Sequence, residues 1–257
     1  MWKIAPLNLG TLDMTMATLI SRFGVANDVG RIVPSPLIAW LLTNLEDGRH
    51  ILVDAGPGPE AERLSAEHNP VSIREDQLLT AALSVHGLKP EDIDTAILTH
   101  LHWDHAIGML YVPNARIYLQ KREFLYAVAP LRADHKFYEV CYKDRLPYFL
   151  RYYNRLILVD GDTKADEGVA LVPLPGHTAG SQGVLVDTPE GKFLLPGDIV
   201  NTSENLETGI PGGVFNNTAD VWASMEKIQQ MIEKEGVTVL PAHDSNVFRK
   251  EGRLMSP

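Results

Sequence analysis

Cysteine is almost absent from this chain of 257 residues, which contains only Cys141. A single thiol excludes an intrachain disulfide, and it leaves no thiolate cluster of the kind that holds structural zinc. Basic residues are also scarce, since 23 lysines and arginines stand against 33 acidic residues and give a net charge of −10. A negative field of this size repels nucleic acid and anionic membrane surfaces. The sequence therefore predicts neither as a partner.

Long apolar runs are lacking as well. No stretch reaches the ~18 apolar residues of a membrane span, and Met1-Trp2-Lys3-Ile4 leads into strand-like sequence without the apolar core of a signal peptide. No linker rich in proline, glycine or serine interrupts the chain. With 45% hydrophobic and 22% charged residues, the composition is that of a soluble globular protein. These features predict a cytoplasmic protein folded as one domain over residues 1–257.

Short apolar segments in both halves of the chain indicate strands, with helices between them. The predicted strands cover residues 2–9, 37–42, 50–54, 95–98, 115–119, 156–159, 169–173, 183–186, 193–195 and 237–240. The predicted helices cover residues 77–86, 121–127 and 221–232, the last capped by Asn217 or Thr218 and ended by Gly236. Residues 11–33 fit no period, and we expect an irregular flap or a dimer contact there. Strands followed by a helix, twice over, predict an α+β fold with two packed sheets and outer helices.

The densest chemical signal follows the predicted strand 95–98, where His100, His102, Asp104 and His105 fall within six positions. In a turn, the first two histidines can point the same way while the other two residues face a neighbouring point. Imidazole and carboxylate together suit zinc, and also iron, manganese or cobalt. A closed structural zinc site is disfavoured because such sites favour cysteine. The segment therefore predicts two adjacent metal-binding points.

Further ligands are expected in loops that directly follow other predicted strands. His177 lies in a Pro-Gly-His-Thr turn, Asp198 follows the strand 193–195, and His243 follows the strand 237–240. We predict that His100, His102 and His177 hold one metal and that Asp104, His105 and His243 hold the other. Asp198 is predicted to bridge the two.

Two groups of polar residues have weaker signals. Asp54 ends a strand just before Ala55-Gly56, where it either orients a metal-binding histidine or caps the turn. The remaining four histidines have no such context, and we expect them on the surface. They are His50, His68, His86 and His135.

Together these motifs resemble those of the metallo-β-lactamase-fold hydrolases. The resemblance rests on His-x-His-x-Asp-His at residues 100–105, His177, Asp198 in Gly-Asp, and His243, with Asp54 matching the family's early Asp-x-Gly. It covers nearly the whole chain. It implies a four-layer αβ/βα sandwich of two mixed sheets with outer helices, and a two-metal site at one edge between the sheets.

The resemblance is closest to the N-acyl homoserine lactonase and 4-pyridoxolactonase branch. Zinc β-lactamases typically carry Cys or Ser where this chain has Asp198. Glyoxalase II-like thioesterases have a helical extension after the last ligand, whereas only residues 244–257 follow His243. Nuclease members carry extra domains and basic surfaces. The compact length, the His243-Asp244 pair and Gly180-Ser181-Gln182 all match the lactonase branch.

That branch implies an enzyme that opens a lactone, either an N-acyl homoserine lactone or a related cyclic ester. Its nucleophile would be a hydroxide that bridges two divalent cations, and zinc is the favoured metal. Asp104 would pass a proton to the leaving alkoxide. The branch usually has a tyrosine three residues after the bridging aspartate, where this chain has Asn201. Asparagine is shorter but can still donate a hydrogen bond to the carbonyl or oxyanion.

Several alternatives stay open at this point. The same site could hydrolyse an acyclic ester, thioester or amide, and a non-catalytic metal sensor could keep the fold, although such proteins are expected to lose ligands. Trp103 either forms an apolar pocket wall or packs behind the loop, and Met14, Met16, Phe23 and Phe215 are further pocket candidates. The aromatic-rich segment 137–153 suits a core, a homodimer interface or a pocket wall.

Overall fold

The computed structural model describes residues 1–21 and 28–248, and its strands form two sheets. The first sheet contains β1 (Trp2–Thr15), β2 (Ile32–Asn44), β3 (His50–Val53), β4 (Val71–Ser72), β5 (Thr95–Ile97), β6 (Arg116–Gln120) and β7 (Leu156–Val159). The second contains β8 (Thr163–Asp166), β9 (Val169–Pro173), β10 (Gln182–Thr188), β11 (Gly191–Leu195) and β12 (Thr238–Val239).

Both sheets are mixed. The first has the order β4-β1-β2-β3-β5-β6-β7; its pairs are antiparallel from β4 to β3 and parallel from β3 to β7. The second has the order β12-β11-β10-β9-β8 and is antiparallel apart from the β11/β12 pair. Two antiparallel pairs of consecutive strands, β2/β3 and β10/β11, form hairpins.

Seven α-helices lie among these strands in the described residues. They are α1 (Met16–Leu19), α2 (Ala61–Glu67), α3 (Leu79–Ser84), α4 (Trp103–Ala106), α5 (Lys121–Val128), α6 (Ser203–Thr208) and α7 (Thr218–Glu235). Short 3₁₀ helices cover Glu75–Gln77, Pro90–Asp92, Ile107–Tyr111, Arg132–Asp134, Tyr148–Arg155, Gly197–Ile199 and Ser245–Phe248. In the two described ranges, none of the helices combines the length and apolar character needed to cross a membrane.

Three apolar cores stack these elements into four layers. Between the sheets, Trp40 and Ile51 of the first sheet share one core with Leu171 and Phe193 of the second. A second core joins the opposite face of the first sheet to α2 and α3, and a third joins the outer face of the second sheet to α7 through residues such as Ile228. Helices therefore cover both outer sheet faces, and the predicted αβ/βα sandwich is confirmed.

The longest helix begins and ends where the sequence predicts. The Asn217 side chain accepts a hydrogen bond from the backbone N–H of Asp220, which caps the first turn of α7. Gly236 ends the helix with a φ of +66°, a left-handed conformation that glycine adopts without steric cost.

The prediction of an irregular segment over residues 11–33 is wrong at both ends. β1 continues to Thr15 and is followed directly by α1, and β2 already begins at Ile32. Gly10 has a φ of +124°, and the β1/β2 register shifts between Asn8 and Thr11. This irregularity breaks the alternation of apolar side chains, so the sequence hides the continuation of the strand. Phe23 lies outside the described residues.

One further prediction differs from the structure, and one open alternative is decided by it. The helix expected over residues 77–86 is a 3₁₀ turn at Glu75–Gln77 followed by α3, because Leu78 between them is extended, with φ −62° and ψ 140°. The aromatic-rich segment 137–153 packs mostly into the core rather than along a pocket. Its fully or almost fully buried side chains are Tyr138, Tyr148, Phe149 and Tyr152.

The strand directions explain where the polar loops meet. β3 and β5 are parallel neighbours, so Asp54 and the histidine-rich loop after β5 leave the first sheet at the same edge. In the second sheet, β9, β11 and β12 run in one direction, so the loops that carry His177, Asp198 and His243 also leave at one edge. These two edges face each other across the sandwich, which brings all the predicted ligands together.

Candidate active site

The first of two side-chain clusters consists only of histidines. His100, His102 and His177 place one ligand atom each within 4.8 Å of one another, and His102 Nδ1 lies 2.9 Å from His177 Nε2. All three side chains are buried. Burial, reinforced by neighbouring imidazoles, holds the pKa of His100 and of His102 well below the usual range. These two rings are therefore neutral, which is the form that binds a metal.

The second cluster contains Asp104, His105, Asp198 and His243, again with ligand atoms within 4.8 Å of one another. Burial disfavours the charged form of His105, yet Asp198, Asp104 and Asp54 raise its pKa well above the usual value. The same balance, burial against the Asp198 carboxylate, raises the pKa of His243. The negative charge that attracts a cation to this cluster comes from its two carboxylates, Asp104 and Asp198.

Asp198 lies between the two clusters. Its Oδ1 is 3.0 Å from His105 Nε2 and 3.2 Å from His243 Nε2, while its Oδ2 is 3.5 Å from His177 Nε2. Burial favours the neutral acid, but the imidazoles of His105 and His243 hold the pKa of Asp198 well below its usual range. A carboxylate with one oxygen toward each cluster has the placement required of a bridging ligand.

The buried polar atoms of this region fit metal ions. Among the described residues, His100 Nε2, His105 Nε2, His243 Nε2 and Asp198 Oδ1 are buried without a hydrogen bond of acceptable geometry. Native proteins rarely leave such atoms unsatisfied, and coordination of a cation satisfies them. Nitrogen and oxygen donors of this kind suit zinc, iron, manganese or cobalt. The seven side chains together could hold two metal ions.

Neighbouring groups fix how three of these imidazoles point. The Nδ1 of His177 donates to the Val214 carbonyl over 2.8 Å, and the Nδ1 of His243 donates to the Pro36 carbonyl over 2.9 Å. His105 Nδ1 is 2.9 Å from Asp54 Oδ2. Since Nδ1 is used in each case, Nε2 is left to face the cluster.

Asp54 combines both roles that the sequence leaves open. Besides contacting His105, its carboxylate accepts hydrogen bonds of 2.8 Å from the backbone N–H and the hydroxyl of Thr99. Its φ of +57° is uncommon for a residue other than glycine. The turn packs closely against the histidine loop, because a Cβ on Gly108 would lie 2.0 Å from the Ala55 carbonyl oxygen.

A cavity of about 280 Å³ opens above the clusters. Its floor includes His102, Asp104, His177 and Asp198. Apolar side chains form much of its wall, namely Leu12, Met14, Trp103, Phe137 and Val214. Polar side chains also reach it, namely Thr18, His68, Asn69, Lys136 and Asn201. The cavity is therefore amphipathic, with polar side chains that could bind a metal on one side and an apolar wall on the other.

The predicted pocket residues divide into two groups. Met14 lines the cavity, and Trp103 does so too although its side chain is largely buried. Met16 instead lies in the helix-side core of the first sheet, and Phe215 packs against the core under α7. From the aromatic-rich segment, Phe137 alone is among the cavity-lining side chains in the described part of the chain.

Asn201 reaches the cavity wall but its amide faces the backbone of α1. Its Nδ2 lies 3.4 Å from the Thr18 carbonyl and 3.3 Å from the Leu19 carbonyl. Gly212 packs against the same amide, since a Cβ there would lie 2.3 Å from Nδ2. The structure thus gives the Asn201 amide a part in holding α1, and its role as an oxyanion donor stays a prediction.

The expectation that His68 lies on the surface is wrong. Its side chain is only 4% exposed, stacks on Trp103 with ring centres 4.3 Å apart, and its Nε2 lies 3.0 Å from Glu139 Oε1. His50 and His135 are partly buried, and His86 is exposed. Sequence pattern gives no signal for His68, because its partners Trp103 and Glu139 are distant along the chain.

With this geometry established, comparisons with known proteins identify the family. The family model of the metallo-beta-lactamase superfamily matches residues 38–243. The chain belongs to this superfamily. An N-acyl homoserine lactonase of Bacillus cereus is 32% identical over 230 residues, covering 84% of each chain. The N-acyl homoserine lactonase AttM of Rhizobium radiobacter is 26% identical over 263 residues, covering 96% of this chain and 94% of the relative.

A solved structure has the same fold as this chain. It is an N-acyl homoserine lactone hydrolase with the product N-hexanoyl-L-homoserine bound at its catalytic metal center. The two structures agree with a TM-score of 0.78 at 23% identity, covering 95% of this chain and 94% of the other. Membership of the superfamily makes the chain a metal-dependent hydrolase.

Proposed function

We propose that this hydrolase opens lactones, namely N-acyl homoserine lactones or related cyclic esters, at a dinuclear metal site. The observation that carries the proposal is Asp198, whose two oxygens face two separate ligand clusters on the floor of one cavity. The curated relatives named N-acyl homoserine lactonases support the substrate class. The solved hydrolase that binds an N-acyl homoserine at its metal center supports the same assignment.

Seven residues would hold the two cations. We assign His100, His102 and His177 to one cation and Asp104, His105 and His243 to the other, with Asp198 shared. Zinc is the favoured metal because imidazole and carboxylate are its usual ligands at catalytic sites. When bound, a pair of divalent cations lowers the pKa of a shared water and polarises a substrate carbonyl.

The chain's own residues then orient the substrate and move the proton. Asp104 borders the cavity, and its Oδ2 lies 3.6 Å from His105 Nε2. From this position its carboxylate can take up a proton and deliver it to the alkoxide that leaves when the ring opens. Asp54 keeps His105 in place through the hydrogen bond to Nδ1.

The cavity wall suits an acyl or alkyl substituent on the lactone. Leu12, Met14 and Phe137 form an apolar surface beside the polar floor. An apolar chain packed there leaves water, and this burial favours binding by about 25 cal/mol for each Å² covered. Beyond that, we propose a cytoplasmic enzyme that would quench quorum signals if its substrate is an N-acyl homoserine lactone. The homodimer stays a prediction.

The proposal is tested by measuring hydrolysis of matched substrates side by side. Purified protein loaded with zinc is assayed with N-hexanoyl homoserine lactone, a simple lactone, an acyclic ester and a thioester. We expect the highest kcat/KM with a lactone. Turnover of the ester or thioester without any lactone hydrolysis would overturn the lactone assignment and favour the alternative hydrolase at the same site.

A further inference from the structure

A buried carboxylate outside the two ligand clusters connects two loops that carry five of the seven proposed ligands, including all three of the histidine cluster. Glu123 lies in the first turn of α5, and it has no exposed surface. None of the ion pairs found among the described residues includes Glu123. A fully buried glutamate without a cationic partner is rare, so its hydrogen bonds must account for its position.

Each oxygen of Glu123 holds a different ligand loop. Oε1 accepts a 3.0 Å hydrogen bond from the backbone N–H of Leu101, the residue between His100 and His102. Oε2 accepts hydrogen bonds of 2.6 Å from the Thr178 hydroxyl and 2.9 Å from the Gly180 N–H, which directly follow His177. The first loop follows β5 of one sheet, and the second follows β9 of the other. A single carboxylate therefore connects one loop from each sheet at the point where their histidines meet.

From these contacts, we infer that Glu123 is a positioning residue that aligns His100, His102 and His177 as one metal-binding cluster. This inference rests on the proposed dinuclear site. Glu123 itself contacts none of the seven proposed ligands through a hydrogen bond found among the described residues. It acts through the backbone on either side of them, so its loss changes the distances within the histidine cluster.

The residues after His177 are arranged around this carboxylate. A Cβ on Gly180 would lie 2.1 Å from the backbone nitrogen of Glu123, so only glycine allows the turn to approach α5 this closely. The Ser181 hydroxyl lies 2.6 Å from the Thr178 hydroxyl, and it accepts a hydrogen bond from the Thr178 N–H. Protons can therefore point from Ser181 to Thr178 and on to Glu123. This gives a physical reason for Gly180-Ser181 in the sequence.

The second ligand cluster is held by other groups. His105 is oriented by Asp54, and His243 by the Pro36 carbonyl. Neither of these contacts involves Glu123. A change at Glu123 should therefore weaken the binding of one cation and leave the binding of the other unchanged. A general loss of folding stability would weaken the binding of both cations.

Tyr138 provides a matched control. Its hydroxyl donates a 3.1 Å hydrogen bond to the same Oε1, but it belongs to neither ligand loop. Glu123→Gln replaces one acceptor oxygen by an NH₂ group, which cannot accept from Leu101, Thr178 or Gly180. Tyr138→Phe removes one hydrogen bond from the same carboxylate and keeps the ring. Thr178→Val removes the hydroxyl that contacts Glu123 and Ser181, and it serves if the glutamine variant does not fold.

The experiment titrates metal-free protein with Zn²⁺ and measures bound zinc at equilibrium, with circular dichroism to verify folding. We expect parental protein to bind two equivalents. Glu123→Gln should bind one of them 10- to 100-fold more weakly, as for loss of other groups that orient metal ligands. Thr178→Val should act in the same direction, and Tyr138→Phe should leave both equivalents unchanged.

Two results would overturn the inference. The first is that folded Glu123→Gln binds both zinc equivalents with the affinity of the parental protein. If Glu123→Gln does not fold, the same result in Thr178→Val overturns the inference. The second is that Glu123→Gln and Tyr138→Phe both weaken the binding of the two zinc equivalents equally. This result would indicate a general structural role for Glu123. Failure of the parental protein to bind two equivalents would instead contradict the proposed dinuclear site.

Discussion

The two ligand clusters sit side by side but differ in charge. The cluster of His100, His102 and His177 contains imidazoles only, and burial keeps the pKa of its first two members low. The other cluster adds the carboxylates of Asp104 and Asp198, and the pKa of His105 is raised there despite its burial. One cluster thus supplies neutral donors, while the other supplies the negative charge of the site.

The difference shows how each cluster keeps its geometry. In the histidine cluster, uncharged groups contact the rings directly, namely the Val214 carbonyl at His177 and the Thr99 hydroxyl, 3.0 Å from His100 Nδ1. The Glu123 carboxylate contacts only the backbone and the Thr178 hydroxyl beside these histidines. The charged cluster has a carboxylate, Asp54, behind His105. An outer carboxylate makes the imidazole a stronger ligand. The effect of a substitution on metal binding and activity should therefore be largest when it alters both clusters. It should be smaller when it alters one cluster and smallest when it alters neither.

The largest effect is expected from Asp198→Ala, which removes the group shared by both clusters. We take the lost stabilisation of charge in the transition state as about 4 kcal/mol. This loss corresponds to a decrease of roughly 10³-fold in kcat/KM for lactone hydrolysis. Steady-state kinetics and bound-metal analysis on the same preparation measure this. Asp162→Ala serves as a control because that side chain is 78% exposed. A decrease under tenfold would show that the clusters do not depend on a shared ligand.

An intermediate effect is expected from Asp54→Asn, because the only proposed ligand that Asp54 contacts directly among the described residues is His105 of the charged cluster. The Asn amide keeps the size of the side chain but can place an N–H opposite His105 Nδ1–H. We expect binding of one metal equivalent to weaken by about 10- to 100-fold, while the histidine cluster keeps its affinity. Competition with a zinc chelator measures the two equivalents separately. Unchanged affinity for both would mean that Asp54 only caps its turn.

The smallest effect is expected from Asn201→Ala, which removes no proposed ligand. Loss of its hydrogen bonds to α1 should lower the free energy of unfolding by about 1 kcal/mol, with kcat/KM reduced less than tenfold. Denaturant unfolding and lactone kinetics measure the two quantities. A decrease in kcat of roughly 10²- to 10³-fold without loss of stability would instead establish Asn201 as an oxyanion donor.

The features that the sequence predicts depend on residues that lie close together along the chain. The four proposed ligands at residues 100–105 lie within one short segment, and the other proposed ligands, His177, Asp198 and His243, each follow a short apolar strand. Strands 156–159 and 169–173 also have the predicted bounds, because apolar residues fill them between clear breaks. Periodicity and turn signals are local, so they are visible without knowledge of the fold.

Contacts between distant segments explain what the sequence misses. His68 is buried by Trp103 and Glu139, and Glu123 is surrounded by Leu101 and Thr178. The sequence contains one indication that Glu123 lies near the histidine loop. An acidic residue opens the helix after β6, which is the parallel neighbour of the strand that precedes the histidine loop. The polar edge strand β8, with Lys164 and Asp166, also lacks the apolar alternation on which strand prediction depends.

The most direct test of a dinuclear lactonase is a metal titration followed by activity. Protein stripped of metal by a chelator is given increasing Zn²⁺, and N-hexanoyl homoserine lactone hydrolysis is measured at each ratio of bound zinc to chain. We predict negligible turnover without metal and a rise that ends only at two bound ions per chain. Full turnover with one bound ion, or in the metal-free chain, would contradict the account.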